Sequence, residues 1–349
     1  MINNIIISNK KIGINQPPFI IGELSGNHNG NIKRAIKLLK IAKSANVSAV
    51  KIQTYTPDTL TIKCDKPDFL INEGVWKGKT LYDLYKEAYT PWEWHEKIFS
   101  EAKKLGIIIF STPFDETAVD FLEELNCPAY KIASFEIIDH QLLEKVSLTK
   151  KPIILSTGMA NLHEIEEAVK ILKKNKVKNY ALLHCVSGYP TPPNEANLKT
   201  IIDLSKRFQV PIGLSDHTLG INVSICAIAL GATIIEKHFT ISRKDKGPDS
   251  SFSLEPSELS DLTSSCKEAW DAIGNINYKI KESEKENLKF RRSLYVIENI
   301  NKGNLLTKNN IKSIRPGYGM HPKELENVIG KKATRNLIKG HPLIAKDFI

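Results

Sequence analysis

Short runs of apolar residues alternate with longer amphipathic stretches along most of the chain. Eight runs are rich in Ile, Val and Ala, and they lie at residues 19–25, 49–54, 107–113, 129–135, 152–158, 180–186, 211–217 and 233–240. The stretches between them, such as DETAVDFLEEL (115–125), repeat their apolar residues at helical spacing. Nearly continuous apolar strands that each precede a helix are typical of a parallel sheet covered on both faces.

Eight such units end near Gly274 and predict an α/β fold, the (β/α)8 TIM barrel. An open doubly wound sheet is the alternative, and it is disfavoured because no predicted strand is followed by a GxGxxG turn. We expect the barrel domain over residues 1–276, a charged linker over 277–289 and a small β-rich domain over 290–349. The last of these contains a weak internal repeat, NINKGNLLTKNNI and NLIKGHPLIAKDF.

One interval between predicted strands is longer than a single helix requires. It begins after Thr54 with a loop-like insert that includes CDKPDFLINEGVWKGKT, and a helical pattern follows over residues 81–106. In a barrel this insert leaves the carboxyl end of a strand, the end at which barrel active sites lie. Because long loops there shape substrate binding, we expect the insert to set specificity.

Composition limits the classes of function. Charged residues make up 25% and hydrophobic residues 41% of the 349, and no apolar run approaches the roughly 20 residues of a membrane span. Five scattered cysteines without a CxxC motif indicate reduced thiols, and no secretory signal is evident, so we expect a cytoplasmic protein. Most of the net charge of +10 lies in 290–349, which favours anionic substrates. Nucleic-acid binding is the alternative, but without a matching motif we expect neither nucleic acid nor membrane as a partner.

Polar residues close every predicted strand, often as i, i+2 pairs that share one face. In a barrel these side chains would converge at the carboxyl-end mouth. Examples that include lysine, serine, threonine and histidine are Lys51, Ser111, Thr112, Lys131, Ser134, Ser156, Thr157, His184 and Ser215. Within this set, Lys51 and Lys131 with the three serines 134, 156 and 215 suit a phosphate, which needs positive charge and many donors.

Two histidines, His217 and His238, end neighbouring predicted strands. Neutral imidazoles with open positions beside them suit a catalytic divalent metal. The alternative for either histidine is a hydrogen-bonded core residue. Three carboxylates at strand ends, Glu23, Glu136 and Glu236, are candidates for a general acid or base.

Eight ordered motifs match the sialic acid synthase family of nonulosonic acid synthases in order and spacing. They are GELSGNHNG, KIQTYTPDTL, STPFDE, YKIASFE, LSTGMA, LLHCVSGYPTP, GLSDHT and IEKHFT. The later segments SLYVIENINKG and IRPGYG resemble the antifreeze-like (SAF) domain of that family. Within the family, the insert and the form KIASFE most resemble the pseudaminic acid synthase branch, where sialic acid synthases proper tend to have Gly in place of Phe135.

The resemblance implies roles for the matching residues. It implies a divalent metal, Mn²⁺ or else Mg²⁺ or Co²⁺, on His217 and His238, with Glu136 and Glu236 beside the reacting centre and Glu23 as a general acid or base. Residues implied to contact phosphoenolpyruvate are Lys51, Thr112, Lys131, Ser134, Ser156, Ser187 and Ser215. Ser187 stands where sialic acid synthases carry Asn. Residues implied to meet the sugar are Gln53, Tyr189, Asp249 and, from a partner subunit, Arg315.

The implied reaction joins phosphoenolpyruvate to 2,4-diacetamido-2,4,6-trideoxy-L-altrose, with water, and releases phosphate by cleavage of a C–O bond. N-acetylneuraminic and legionaminic acid synthases share the catalytic residues and are alternatives. More remote alternatives are an aldolase with a Schiff base on Lys51 or Lys131, and a carbohydrate-binding protein. If the C-terminal domain completes the active site of a partner subunit, as the resemblance implies, the protein is a domain-swapped homodimer.

Overall fold

A short hairpin opens the computed structural model, which describes residues 4–349. Its strands, β1 (Ile5–Ile7) and β2 (Lys10–Ile12), are antiparallel, and the turn between them has positive φ at two residues. The isoleucines at 5, 7 and 12 are fully buried. Asn179 bonds to both the N–H and the C=O of Ile6, at 2.9 and 3.0 Å. Because Asn179 directly precedes a barrel strand, the hairpin packs against the end of the barrel opposite the mouth.

The next eight strands form a closed parallel barrel, which confirms the predicted fold. In chain order they are β3 (Phe19–Glu23), β4 (Ala49–Thr54), β5 (Ile108–Pro113), β6 (Tyr130–Ile132), β7 (Ile153–Ser156), β8 (Tyr180–Cys185), β9 (Ile212–Asp216) and β10 (Ile234–His238). Each pairs with its neighbours in sequence, and β10 pairs with both β9 and β3. This closure brings the first and last motifs of the barrel side by side.

Helices cover the outside of the barrel. They are α1 (Ile32–Ser44), α2 (Pro57–Leu60), α3 (Leu81–Ala88), α4 (Trp92–Leu105), α5 (Glu116–Glu124), α6 (His140–Leu148), α7 (Leu162–Lys174), α8 (Lys199–Phe208), α9 (Asn222–Ala229) and α10 (Pro256–Ile273). The helical stretch predicted over 81–106 is two helices rather than one. Pro91 separates them because it disfavours helical geometry at the residue before it and donates no hydrogen bond.

Helix α7 illustrates how local sequence sets these elements. Asn161 caps its N-terminus by accepting from the N–H of Glu164 at 3.0 Å, and the Glu164 carboxylate accepts from the N–H of Asn161 at 2.7 Å. This reciprocal pair satisfies two amide groups that a helix start leaves free. Four buried residues at helical spacing face the barrel: Ile165, Ala168, Val169 and Leu172. Capping and periodicity therefore agree, which favours one register for the helix.

Two buried histidines link α4 to the barrel. His95 on α4 lies 2.8 Å from the hydroxyl of Thr54, which in turn lies 2.6 Å from that of Ser111. His28, after β3, packs edge-to-face on Trp94 with ring centroids 5.6 Å apart. Both histidines are fully buried, and burial lowers the pKa of each to about 4.

We therefore expect the two histidines to destabilise the fold as the pH falls from 6.5 towards 4. The unfolded chain binds a proton at each of His28 and His95 near pH 6.5, whereas the folded chain excludes it until about pH 4. Stability is thus complete above pH 6.5 and is lost as the pH falls towards 4, by about 2 kcal/mol per histidine between pH 7 and pH 5. Urea unfolding of His95→Gln at both pH values should show a smaller loss than wild type. The exposed His163→Gln is the control. An equal loss of unfolding free energy in wild type and in His95→Gln would contradict the assignment of a low pKa to His95.

Residues Asn275–Ile349 form a second compact unit, and the first ends at Gly274. The predicted linker contains a 3₁₀ helix over Glu282–Phe290, and the strands β11 (Ser293–Val296) and β12 (Ile311–Ile314) and the helix α11 (Leu325–Val328) follow. The weak internal repeat pairs with itself: Ile300 and Leu337 exchange two backbone bonds of 2.8 Å. The flanking asparagines accept reciprocally, Asn299 from Lys339 N–H and Asn336 from Lys302 N–H, each at 2.8 Å.

No helix within residues 4–349 combines the length and the apolar character that a membrane crossing demands.

Candidate active site

Two buried lysines and two buried carboxylates form a linked cluster at the carboxyl ends of the barrel strands. Lys51 on β4 lies 2.7 Å from Glu23 on β3 and donates to the Thr112 hydroxyl at 3.0 Å. Lys131 on β6 donates to Glu236 on β10 at 2.9 Å. These four charged side chains are each at most 5% exposed. Since a buried charge without a partner is costly, the cluster is stable only because the charges balance.

Further donors extend the cluster across the mouth. Ser215 on β9 donates to Glu236 at 3.1 Å, and Lys51 lies 3.9 Å from the same carboxylate oxygen. Gln53 donates to Glu23 at 3.0 Å. Although burial opposes it, the two lysines hold the pKa of Glu236 below its ordinary value. The cluster can therefore present two cationic groups and a carboxylate to one ligand.

Several buried polar atoms at this mouth have no hydrogen-bond partner within residues 4–349. They include Glu136 Oε2, Ser156 Oγ, Glu236 Oε2 and His238 Nδ1. Buried polar atoms are normally satisfied, and such a concentration of unsatisfied ones indicates a place for a polar ligand. Burial also raises the pKa of Glu136 to about 7, so this carboxyl group can hold or release a proton near neutrality.

Three small polar side chains crowd around Gly158, just beyond β7. The N–H of Gly158 donates to Ser134 Oγ at 3.0 Å. A Cβ placed on Gly158 would lie 2.4 Å from Ser187 Oγ, 2.7 Å from Ser134 Oγ and 3.1 Å from Cys185 Sγ. Only glycine leaves these groups where they are, so the position of the two serine hydroxyls depends on the absence of a side chain at residue 158.

Replacing Gly158 with alanine should raise the KM for an anionic substrate that binds Ser134 and Ser187 about tenfold or more, since the methyl group displaces both serines. Steady-state kinetics with circular dichroism as a folding check would measure this. Gly106→Ala, in the turn between α4 and β5 at the opposite end of the barrel, is the control: its positive φ strains alanine there, but no active-site residue is near, so KM should stay at the wild-type value. A Gly158→Ala protein with unchanged KM would place the anion elsewhere.

His217 and His238 lie side by side at the mouth, with ring centroids 5.5 Å apart. His217 Nδ1 lies 3.0 Å from the Val186 carbonyl, an arrangement that leaves Nε2 free to bind. His238 Nδ1 is buried without a partner, and burial lowers the pKa of His238 well below its usual range. Burial alone would lower the pKa of His217. The interactions with Cys185 and with the Val186 carbonyl outweigh burial, so the pKa of His217 is raised. A cation at this residue would therefore compete with a proton.

This pair fits a divalent metal as two imidazole ligands. Within residues 4–349, His, Cys, Asp and Glu side chains nowhere gather in a group of three or more suited to a metal. Catalytic metal sites keep positions open for water or substrate, and a pair of histidines would leave such positions.

Aromatic rings and one carboxylate form the remaining side of the mouth. Tyr189 packs on His217 with centroids 4.4 Å apart, and Phe252 lies 5.4 Å from Tyr189 and 5.2 Å from His238. Asp249, in the loop after β10, accepts from the N–H of Gly26 at 3.2 Å. Burial raises the pKa of Asp249. This side of the mouth is mainly aromatic, with Asp249 as its carboxylate, in contrast to the lysine and serine side.

The structure brings together all of the site residues that were expected from the barrel. They are Glu23, Lys51, Gln53, Thr112, Lys131, Ser134, Glu136, Ser156, Ser187, Tyr189, Ser215, His217, Glu236, His238 and Asp249. Arg315 follows β12 in the second unit. The prediction that every strand-end polar side chain converges at the mouth was wrong for three of them. Ser111 bonds to the Ile52 carbonyl, Thr157 donates to the Leu183 carbonyl at 3.2 Å, and His184 lies 2.7 Å from the Ala196 carbonyl, so none of the three joins the cluster.

Sequence reasoning missed Gly158, Cys185 and Phe252. Glycine and cysteine in LSTGMA and LLHCVSG carry no charge, and an aromatic residue in a loop looks the same whether it faces solvent or a site. Phe135, by contrast, is 56% exposed in the chain and supplies no buried apolar wall.

Comparison with known proteins gives consistent results. A family model described as the NeuB family matches residues 38–278, and one described as the SAF domain matches 291–349. A pseudaminic acid synthase of Campylobacter jejuni is 42% identical over 95% of this chain and 96% of its own length. An N,N'-diacetyllegionaminic acid synthase of the same species is 39% identical over 91% and 96%. The crystal structure of an N-acetylneuraminic acid synthetase from Leptospira borgpetersenii superposes with a TM-score of 0.74 at 35% identity, over 83% of this chain and 97% of that one.

Proposed function

Since the chain belongs to the NeuB family, we propose that it acts as a pseudaminic acid synthase, condensing phosphoenolpyruvate with 2,4-diacetamido-2,4,6-trideoxy-L-altrose. The observation that carries this proposal is similarity to pseudaminic acid synthases over nearly the whole chain. The buried lysine and serine cluster at the barrel mouth supports it, because that chemistry suits a phosphate ester.

Phosphoenolpyruvate binds through the cationic side of the mouth. Lys51 and Lys131 supply point charge, and the hydroxyls of Thr112, Ser134 and Ser215 supply directed donors. These groups are held by their neighbours before substrate arrives, so little reorganisation is needed when negative charge develops on the leaving phosphate. The hydroxyls of Ser134 and Ser187, which lie against Gly158, would bind one end of the same molecule.

The reaction forms a C–C bond and a C–O bond to water, and it breaks the C–O bond to the phosphate. C3 of phosphoenolpyruvate attacks the aldehyde carbon of the open-chain sugar, and water adds to the electron-deficient C2. The resulting intermediate collapses with departure of inorganic phosphate. A carboxyl group must move a proton between water and the sugar oxygen, and Glu136, whose pKa is raised to about 7, would take that role.

A divalent metal on His217 and His238 would supply a Lewis acid for the sugar aldehyde. His238, buried and neutral, and His217, fixed through Val186, would hold it. We expect Mn²⁺ titration followed by electron paramagnetic resonance to show binding to wild type and loss of binding in His217→Ala. The exposed His163→Ala is the matched control. Equal Mn²⁺ binding in all three proteins would exclude these ligands.

Arg315 and a partner subunit complete the proposal. Arg315 would reach an acyl group of the sugar bound to another copy, which requires a homodimer. Mixing inactive His217→Ala with inactive Arg315→Ala subunits tests this arrangement. Activity recovered in the mixture would support the proposal that Arg315 completes the site of the partner subunit. A verified mixed dimer without activity would argue that Arg315 acts on its own barrel or on no active site.

Phosphate release from phosphoenolpyruvate tests the function itself. Three sugars would be assayed: the L-altrose sugar, the sugar that legionaminic acid synthases use, and N-acetylmannosamine. We expect the highest kcat/KM for the L-altrose sugar. Oxygen-18 in the bridging position of phosphoenolpyruvate should leave with phosphate. A preference for another sugar would reassign the enzyme within its family, and phosphate that lacks the label would overturn the chemistry.

A Schiff-base aldolase is the second candidate, because burial lowers the pKa of Lys131 and thereby favours a nucleophilic amine. Treatment with pyruvate and borohydride should leave the mass of the chain unchanged if it is a synthase, whereas an aldolase would gain a covalent adduct.

A further inference from the structure

A tryptophan of the insert stands at the aromatic side of the mouth, and nothing above assigns it a role. The insert loop is ordered like a hairpin: Leu70 and Thr80 form a bridge, and Ile71 N–H donates to the Lys79 carbonyl at 2.9 Å. Trp76 lies near the tip of this loop and is half-buried. The loop therefore holds an indole ring over the barrel.

Two contacts fix Trp76 in place. Its indole N–H donates to the carbonyl of Pro248 at 2.8 Å, directly before Asp249. Its ring lies 5.4 Å from that of Tyr189, with the planes tilted by 49°. Tyr189 in turn packs on His217. Trp76 is thus one aromatic ring further from the histidines than Tyr189, on the side where the far end of a sugar chain would lie.

The chemistry of this position is apolar. Indole has a single hydrogen-bond donor and no acceptor, and the Pro248 carbonyl already engages that donor. Phe252, on the other side of Tyr189, has no polar group at all. A hydroxyl group pressed against the indole face of Trp76 would lose its hydrogen bonds to water without replacement, whereas a methyl group would gain contact area.

We propose that Trp76 is a specificity-determining residue that packs against the C6 methyl group of the sugar and so selects 6-deoxy substrates over 6-hydroxy ones. This inference rests on the proposed function. An apolar wall discriminates against an added hydroxyl by about 10- to 100-fold, and wild type should show a preference of that size.

The test compares kcat/KM for 2,4-diacetamido-2,4,6-trideoxy-L-altrose and for its 6-hydroxy counterpart. Trp76→Ala should lower kcat/KM for the 6-deoxy sugar at least tenfold and bring the ratio of the two sugars towards one, with the KM for phosphoenolpyruvate unchanged. Trp76→Phe, which keeps a ring but loses the bond to Pro248, should retain most of the preference. Val75→Ala, an exposed neighbour in the same loop, should match wild type.

Two results would overturn the inference while leaving the proposed function intact. The first is an unchanged ratio in Trp76→Ala with both sugars slowed equally, which would make Trp76 an anchor for the loop. The second is a wild-type enzyme that turns over both sugars equally. Wild type that releases phosphate with neither sugar would instead refute the proposed function, and the inference with it.

Discussion

Replacing Lys131 with methionine is expected to slow phosphate release from phosphoenolpyruvate by about 100- to 1,000-fold. Methionine keeps much of the volume of lysine but removes the charge that Lys131 places 2.9 Å from Glu236. The site then loses one of its two buried cations for the phosphate. Glu236 is left with Ser215 at 3.1 Å and the more distant Lys51 at 3.9 Å, so its negative charge would also repel the substrate.

Single-turnover and steady-state assays would separate binding from chemistry in the Lys131→Met protein. The half-exposed Lys145→Met serves as the control, since Lys145 pairs with Asp120 on the outside of the barrel. Thermal unfolding should show that both variants remain folded at the assay temperature. A Lys131→Met enzyme within threefold of wild type would remove Lys131 from the phosphate site and return the assignment to Lys51 alone.

Replacing Lys237 with methionine is expected to lower the free energy of unfolding by about 3–5 kcal/mol. Lys237 and Asp216 form an ion pair of 2.8 Å, and both side chains are 1% exposed. Asp216 also accepts from the Ser224 hydroxyl at 2.6 Å, while Lys237 donates to the Thr218 carbonyl at 2.7 Å. Loss of the lysine strands a buried carboxylate, which is the costly outcome for such a pair.

Urea unfolding would measure the loss, and the double variant Asp216→Leu with Lys237→Met is the informative comparison. Removing both charges avoids the stranded carboxylate, so the double variant should be more stable than Lys237→Met alone. The exposed pair Lys267–Asp271 offers a matched control, and Lys267→Met should cost less than about 1 kcal/mol. A Lys237→Met protein as stable as the control would show that the buried pair contributes little.

This ion pair also bears on the site, because its two members directly precede His217 and His238 in the chain. In a strand, successive side chains point to opposite faces. The pair therefore lies outside the barrel while the histidines face the mouth, and it ties together the two strand ends that carry them.

The sequence alone determined the barrel and the end of it that carries the chemistry. Apolar runs of strand length, each followed by a helical pattern, define the repeated unit, and eight of them close a barrel. Because all eight strands are parallel, their carboxyl ends meet at one face, so polar residues such as Lys51, Lys131 and His217 had to gather there. The spacing of apolar residues and the order of strands and helices along the chain are local properties, and local properties can be read from a sequence.

Only the tertiary structure decided which of those residues touch. Lys131 could have paired with any of the three carboxylates, and it pairs with Glu236, which is 105 residues away. Ser111 and His184 end their strands as the others do, yet they bond to backbone carbonyls away from the cluster. The space around Gly158 and the approach of Trp76 to Tyr189 depend on how loops from different strands fold over the mouth. Such contacts join distant parts of the chain through packing, and no local pattern encodes packing.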